Sequence, residues 1–466
     1  MIPQRLFSLL VLFQFYGMCS SEYDAEVLIL GAGMAGIAAA EILDNSGIKN
    51  FILIEGGDRI GGRVKSMKFH GTTIELGANW IQGVHNNPLT NLAKKYGLKG
   101  NIETQEFVIR NSTGANTTDA GNKKLYKKSL DIMESIRQER KRNKEEDISY
   151  RVGLRLAGWQ PTSPEQMVVE YNMADFEYAV PPKYISLRTE MNTNTSINAT
   201  DGKQMFITDQ RGFCYLIDRI ADGFMTRNDS RLKLNSRVKT IYYDDKGARV
   251  LTEDGRNFTA KRVLVTFSIG VLKSNSVNFS PSLPSWKMEQ IFKLNMVIYT
   301  KIFIKFPFKF WDDNEYIYYA SKRRGYFPIW QNLEADSRLP KGTNILLITV
   351  TQEEAKRIEF QDDKLTRQEI MTVLKGVYGS DIPEMIDMYA PKWGLDDLYL
   401  GSWANVPIGM SSSDYESLQK PVQSLYFAGE ATHELYNGYL HGAYFSGQRA
   451  AAQIVRSLRS DTSNCR

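Results

Sequence analysis

The order of apolar and polar positions divides the chain before any chemistry enters. Residues 6–16 form an apolar stretch broken once by Gln14, with Arg5 before it and Gly17 and Cys19 after it. A bilayer span takes about 20 apolar residues, so this one is too short. Its flanks predict a secretory signal over 1–19. Residues 26–30 then predict a strand, the alanine-rich 37–43 a helix, and 51–55 a second strand, together a βαβ unit. Residues 119–148 carry Lys123, Lys124, Lys127, Lys128 and a basic run over 137–144, which predicts one or two solvated helices. Pro161, Pro164, Pro181 and Pro182 bracket a helix predicted over 165–178, and the polar segment 188–210 predicts a surface loop. Strands are predicted over 237–243, 248–252, 262–266, 295–306 and 344–351, and a last helix over 441–457. No repeat and no low-complexity tract interrupts this order.

Composition narrows the class. A chain of 466 residues is too long for one compact core and predicts two domains. At 42% hydrophobic and 24% charged it is an ordinary soluble globular protein, which excludes disorder and a multi-span membrane protein. A net charge of +5 does not make a nucleic-acid binder. Cys19, Cys214 and Cys465 are too few for a disulfide scaffold, and four histidines add no metal centre. Whether Cys214 and Cys465 pair stays open. Asn111, Asn116, Asn194, Asn198, Asn228, Asn257 and Asn278 head N-x-S/T sequons, which together predict a secreted glycoprotein. The polar tail 459–466 offers no lipid anchor and no retention signal.

Gly31-Ala-Gly33-Met34-Ala35-Gly36 is a G-x-G-x-x-G run between a strand and a helix, the context that makes it a dinucleotide fingerprint. Gly31 allows the tight turn, Gly33 lets a pyrophosphate reach the backbone, and Gly36 lets the helix pack on the strand. The helix N-terminus offers N–H donors to phosphate. Glu55 ends the second strand, where an acid accepts hydrogen bonds from a ribose. Asp58-Arg-Ile-Gly-Gly62-Arg63 follows, a second glycine element that a nicotinamide cofactor does not explain.

At these residues the chain resembles the FAD-dependent amine oxidase family. Further segments strengthen the likeness: Glu75-Leu-Gly-Ala-Asn79-Trp80, Phe427-Ala-Gly429-Glu430, and Asn437-Gly-Tyr439-Leu440-His-Gly-Ala-Tyr444. The resemblance spans about residues 25–458 and is nearest to the secreted plant polyamine oxidases. It implies FAD contacts at Gly62, Arg63, Asn79, Trp80, Val238, Trp393, Tyr399, Gly429, Glu430, Tyr439 and Leu440, beside Gly31, Gly33, Met34, Ala35, Gly36 and Glu55. The implied fold is α/β, with a discontinuous Rossmann-like FAD-binding domain (23–85, 211–290, 395–458). A substrate-binding α+β domain with a mixed sheet (86–210, 291–394) joins it.

Lys301 stands out on pattern. Period two puts Tyr299, Lys301, Phe303 and Lys305 on one strand face, so Lys301 lies between two aromatics. The resemblance implies that it holds a water near the flavin N5 and is the catalytic residue. It also implies that Trp403 and Tyr439 flank the reacting amine, with Tyr299 nearby. Glu177 would meet a polyamine nitrogen, with Glu170 as the alternative. Gln82 stands where close plant relatives carry an acid; its amide can accept a hydrogen bond but brings no charge.

The implied activity is oxidation of spermine or spermidine next to a secondary amine, with O2 as acceptor, giving H2O2, an aminoaldehyde and a diamine. The expected partners are the polyamine and O2, without nucleic acid, metal or, after signal cleavage, a membrane segment. The basic surface suits weak contact with an acidic extracellular matrix, in the apoplast or cell wall. Two rivals stay open. One is oxidation of another amine, a monoamine or an amino acid. The other is a catalytically weak flavoprotein with a binding role.

Overall fold

A computed structural model describes residues 23–463 apart from 86, 105, 189–202, 227 and 336–337. The predicted signal 1–19, the sequons at Asn194 and Asn198, and Cys465 lie outside the described residues.

The βαβ unit forms as its pattern predicts. Ala25–Leu30 pairs in parallel with Phe51–Ile54 on one side and with Asn257–Val265 on the other. The helix Met34–Asn45 makes the crossover. Parallel strands of this kind are buried on both faces, and period two sorts their residues between two cores. Val27 and Ile29 face Ile37, Leu43 and Ile454. Leu28 and Leu30 face Ile241, Val263 and Phe427. The full sheet has eight strands, and Leu425–Phe427 joins it beside Asn257–Val265. The last helix, Leu440–Ser463, packs on Met34–Asn45 so closely that a Cβ on Gly447 would lie 2.1 Å from the Ala35 carbonyl oxygen.

A second, six-stranded sheet is mixed. Phe107–Asn111 runs parallel to Tyr316–Ala320, while the other pairings are antiparallel. Its central strand is Ile345–Thr351, buried along its whole length. The helices Gln352–Phe360 and Asp363–Tyr378 contribute to the core that holds Ile302 and Ile304. Tyr126, Trp159 and Val168 pack with Tyr316 and Tyr318 in a separate core. No helix among the described residues is long and apolar enough to cross a membrane.

Four segments differ from the sequence pattern, each for a tertiary reason. The strand predicted over 295–306 is two strands. Asn295–Val297 pairs with Trp403–Asn405, and Tyr299–Lys305 pairs with Ile345–Thr351, so the chain changes sheets at Ile298. The helix predicted over 165–178 ends at Met173, and a separate turn spans Asp175–Tyr178. Arg324 grips the Asp175 carboxylate at 2.8 and 2.6 Å just past the break at Ala174. The expected loop over 188–210 contains the strand Gln204–Ile207, the middle strand of a small sheet with Trp80–Gln82 and Gly100–Ile102. Finally, 119–148 is not wholly solvated. Ala120–Arg142 is one helix that buries Tyr126, Ser129, Met133 and Arg137.

Candidate active site

A cavity of about 520 Å³ opens where the parallel strands of the large sheet end, the usual place for a ligand in such a sheet. Glycine turns build one end. Gly31 and Gly62 have φ of +108° and +58°, and Gly33 bridges Gly61. The Glu55 carboxylate is fixed by the amides of Ala32 and Gly57, each at 2.8 Å. Arg59, which the sequence pattern passes over, donates to the carbonyls of Ile60, Gly62 and Val64 and so holds the second glycine loop. Arg63 pairs with Glu430 at 2.7 Å. The sequence suggested separate contacts for these two; the fold joins them, and both line the cavity.

The residues fit FAD. A Cβ on Gly33 would meet nothing within 4 Å, which leaves an open cradle at a helix N-terminus. Met34, Ala35, Asn79, Trp80, Val238, Trp393, Tyr399, Gly429, Tyr439 and Leu440 also line the cavity. Gly36 does not; its Cβ would lie 1.9 Å from the Gly31 carbonyl oxygen, so it serves packing. The two glycines should therefore fail differently. Gly33→Ala is expected to keep the apoprotein's thermal stability while weakening FAD retention at least about tenfold. Gly36→Ala should destabilise the apoprotein itself by roughly 1–3 kcal/mol, the usual cost of overpacking. Flavin absorbance and apoprotein melting would separate the two; equal melting losses would overturn the distinction.

Lys301 is 6% exposed. Its ammonium donates to the carbonyl oxygens of Glu75 (3.1 Å) and Gly77 (2.6 Å). An ammonium has three donors, so one is left for the cavity that Lys301 lines. Burial lowers its pKa, and the charge of Glu75 opposes that shift. Burial in turn raises Glu75, against hydrogen bonds from Ser66 and the Phe213 amide. Glu75 was unassigned in the sequence. An acid ending a strand that is buried at every position was the available signal.

The side chains of Tyr299, Trp403, Tyr439, Glu177 and Gln82 line the same cavity. Tyr299 and Trp403 pack at 5.0 Å between ring centroids, brought together by the change of sheets at Ile298. Tyr439 donates to Glu177 at 3.0 Å. Burial raises the Glu177 carboxyl, the Tyr439 hydrogen bond opposes this, and the carboxylate of Glu103 adds to it. Glu170 is not at the site. It is fully buried and bound by Arg151, Arg324 and the Trp159 ring nitrogen. Among the described residues no group of His, Cys, Asp or Glu could hold a metal.

The chain is similar to known proteins along nearly its whole length. The model for "Flavin containing amine oxidoreductase" matches residues 34–455. Polyamine oxidase 1 of Zea mays is 35% identical over 464 residues, covering 94% of this chain and 92% of its own. Polyamine oxidase 7 of Oryza sativa subsp. japonica is 37% identical over 454 residues, covering 90% of this chain and 93% of its own. A solved structure of putrescine oxidase bound to putrescine superposes with a TM-score of 0.76 at 20% identity, over 93% of this chain and 99% of that one. That last likeness is one of fold.

Proposed function

The chain belongs to the flavin containing amine oxidoreductase family, and we propose that it oxidises polyamines such as spermine and spermidine at a carbon next to a secondary amine. The observation that carries this reading is the carboxylate of Glu177 set among aromatic rings in the cavity that also holds Lys301.

The two glycine loops, Glu55, Arg63 and Glu430 would hold FAD, which would supply a two-electron acceptor for the amine and, when reduced, pass those electrons to O2 to give H2O2. The chain's own residues do the rest. Glu177 attracts an ammonium, with about 4 kcal/mol of Coulomb attraction at 4 Å and effective dielectric 20, partly offset by desolvation. Trp403, Tyr299 and Tyr439 present ring faces that orient a thin alkylamine and exclude water. As an ammonium, Lys301 would offer its third N–H to a water; because burial lowers its pKa, the neutral amine that can take up a proton at Nζ is reached nearer neutral pH than for an exposed lysine.

Peroxide release with spermine, spermidine, tyramine and leucine tests the substrate class. The expected result is activity on the two polyamines; activity only on leucine would sink the reading. Bleaching of the flavin by spermine without oxygen separates an oxidase from a flavoprotein with a binding role.

Gln82 lines the cavity without charge. Gln82→Glu is therefore expected to lower the KM for spermine about tenfold, equivalent to 1.4 kcal/mol. An unchanged KM would remove Gln82 from substrate binding.

We also place the enzyme outside the cell as a glycoprotein. The sequon residues Asn116, Asn228, Asn257 and Asn278 are exposed, as an acceptor must be, which supports this. Secretion in a plant host and a mass shift on deglycosylation are the expected observations.

A further inference from the structure

Glu103 is a carboxylate of the cavity that the mechanism above does not use. Glu103 follows the strand Gly100–Ile102 and lines the cavity. Tyr316 donates to it at 2.8 Å. A run of ring contacts leads there from the reacting end. Trp403 packs on Tyr299 at 5.0 Å, Tyr299 on Phe176 at 5.8 Å, and Phe176 on Tyr316 at 6.2 Å. Glu103 thus stands at the far end of an aromatic wall from Trp403.

Lys123 lines the same cavity, from the first turn of the helix Ala120–Arg142. Its neighbours Lys124, Lys127 and Lys128 are exposed, whereas Lys123 is half-buried. Its ammonium lies over the Phe107 ring, 4.4 Å from the centroid, and that ring stacks on Tyr318 at 4.8 Å. Burial lowers the Lys123 pKa, Lys127 lowers it further, and Glu103 opposes both. An aromatic face beside a carboxylate is the environment that recognises an alkylammonium. A lysine side chain is itself a primary alkylammonium on a flexible four-carbon stem.

We infer that Glu103 and Tyr316, which both line the cavity, form a subsite for a primary ammonium, and that Lys123, held over the neighbouring Phe107 ring, competes for it with the far nitrogen of a long polyamine. The inference rests on the polyamine reading and deepens it. It adds a second binding charge to that of Glu177 in a cavity whose Gln82 brings none. Lys123 then acts as a tethered competitor: it weakens binding of amines long enough to reach Glu103 and leaves shorter or end-capped ones alone.

The test compares spermine with N1,N12-diacetylspermine, whose terminal nitrogens carry no charge. For each, KM is read on the FAD-loaded enzyme. The Kd is read on the dithionite-reduced enzyme, which cannot turn over. Lys123→Met is expected to lower both constants for spermine about three- to tenfold and to leave those for the diacetylated amine within twofold. Glu103→Gln should raise them about tenfold for spermine, with the effect in KM rather than kcat. In the Glu103→Gln background, Lys123→Met should have no further effect. Three results would each overturn the inference: no change on Lys123→Met, the same change for both amines, or an undiminished Lys123 effect without Glu103. Lys123 is only half-buried, so its variant remains informative should Glu103→Gln fold poorly. If the unmodified enzyme oxidises neither amine, the polyamine reading fails by itself, while the Kd comparison still decides the subsite.

Discussion

Lys301→Met is expected to lower the rate of flavin reduction by roughly two orders of magnitude, within the range for losing a positioned acid–base group. FAD should stay bound, because Lys301 contacts the carbonyls of Glu75 and Gly77 rather than the glycine loops. The sign of the pH dependence follows from burial. A lysine whose pKa is lowered becomes a base at lower pH than a free lysine, so the rate should rise with pH through that depressed value. The Met variant should lose this limb. The carboxylate of Glu75 favours charged Lys301, so Glu75→Gln should move the limb to still lower pH. Stopped-flow reduction of the bound flavin across pH checks both. A Met variant that keeps the wild-type rate and limb would remove Lys301 from proton handling.

Arg324→Met should destabilise the fold by about 3–5 kcal/mol, the usual penalty for leaving buried carboxylates without their partner. Glu170 is fully buried and Asp175 is 1% exposed, and Arg324 binds both. Burial outweighs the arginine at Asp175 and lifts its carboxyl to about 6. Burial also opposes ionisation at Glu170, but Arg151 and Arg324 together hold it below the ordinary value. Removing Arg324 raises both carboxyls in the folded state. A group raised in this way contributes stability at low pH and loses it as pH rises, so the deficit should be small near pH 4 and grow toward pH 8. Arg323→Met is the control. Its partner is Glu354, but Arg323 is mostly exposed, and such pairs are worth about 1 kcal/mol or less. Denaturant unfolding of the two variants side by side gives the answer; equal losses would show that the cluster is not what holds the segment. The KM of Arg324→Met for spermine should also rise, because Asp175 precedes Glu177 in the turn that Arg324 anchors.

Much of this was legible along the chain. The glycine turn, its strand and its helix are local features, set by φ preferences and by apolar periodicity over a few residues. Lys301 was legible as an anomaly, a charge on the face of a strand between two aromatics. Its surroundings were not, because Glu75 lies 226 residues away. The strand Gln204–Ile207 was missed because four residues between polar flanks carry too little alternation to distinguish a strand from a loop. The turn after Ala174 was not legible because Arg324, which holds Asp175 there, comes from a distant segment.

The sequence by itself therefore determined the dinucleotide cradle, the alternation that packs both sheets, and the identity of most side chains around the cavity. Only the tertiary structure decided which of them meet. Glu177 finds Tyr439 across 262 residues, Arg63 finds Glu430 across 367, and Glu103 finds Tyr316 across 213. Glu170, equally plausible on its helix, turned inward to two arginines instead. Periodicity states which face of an element a side chain occupies. What that face meets depends on how the elements dock, and burial makes each unpaired charge costly enough to select one set of partners.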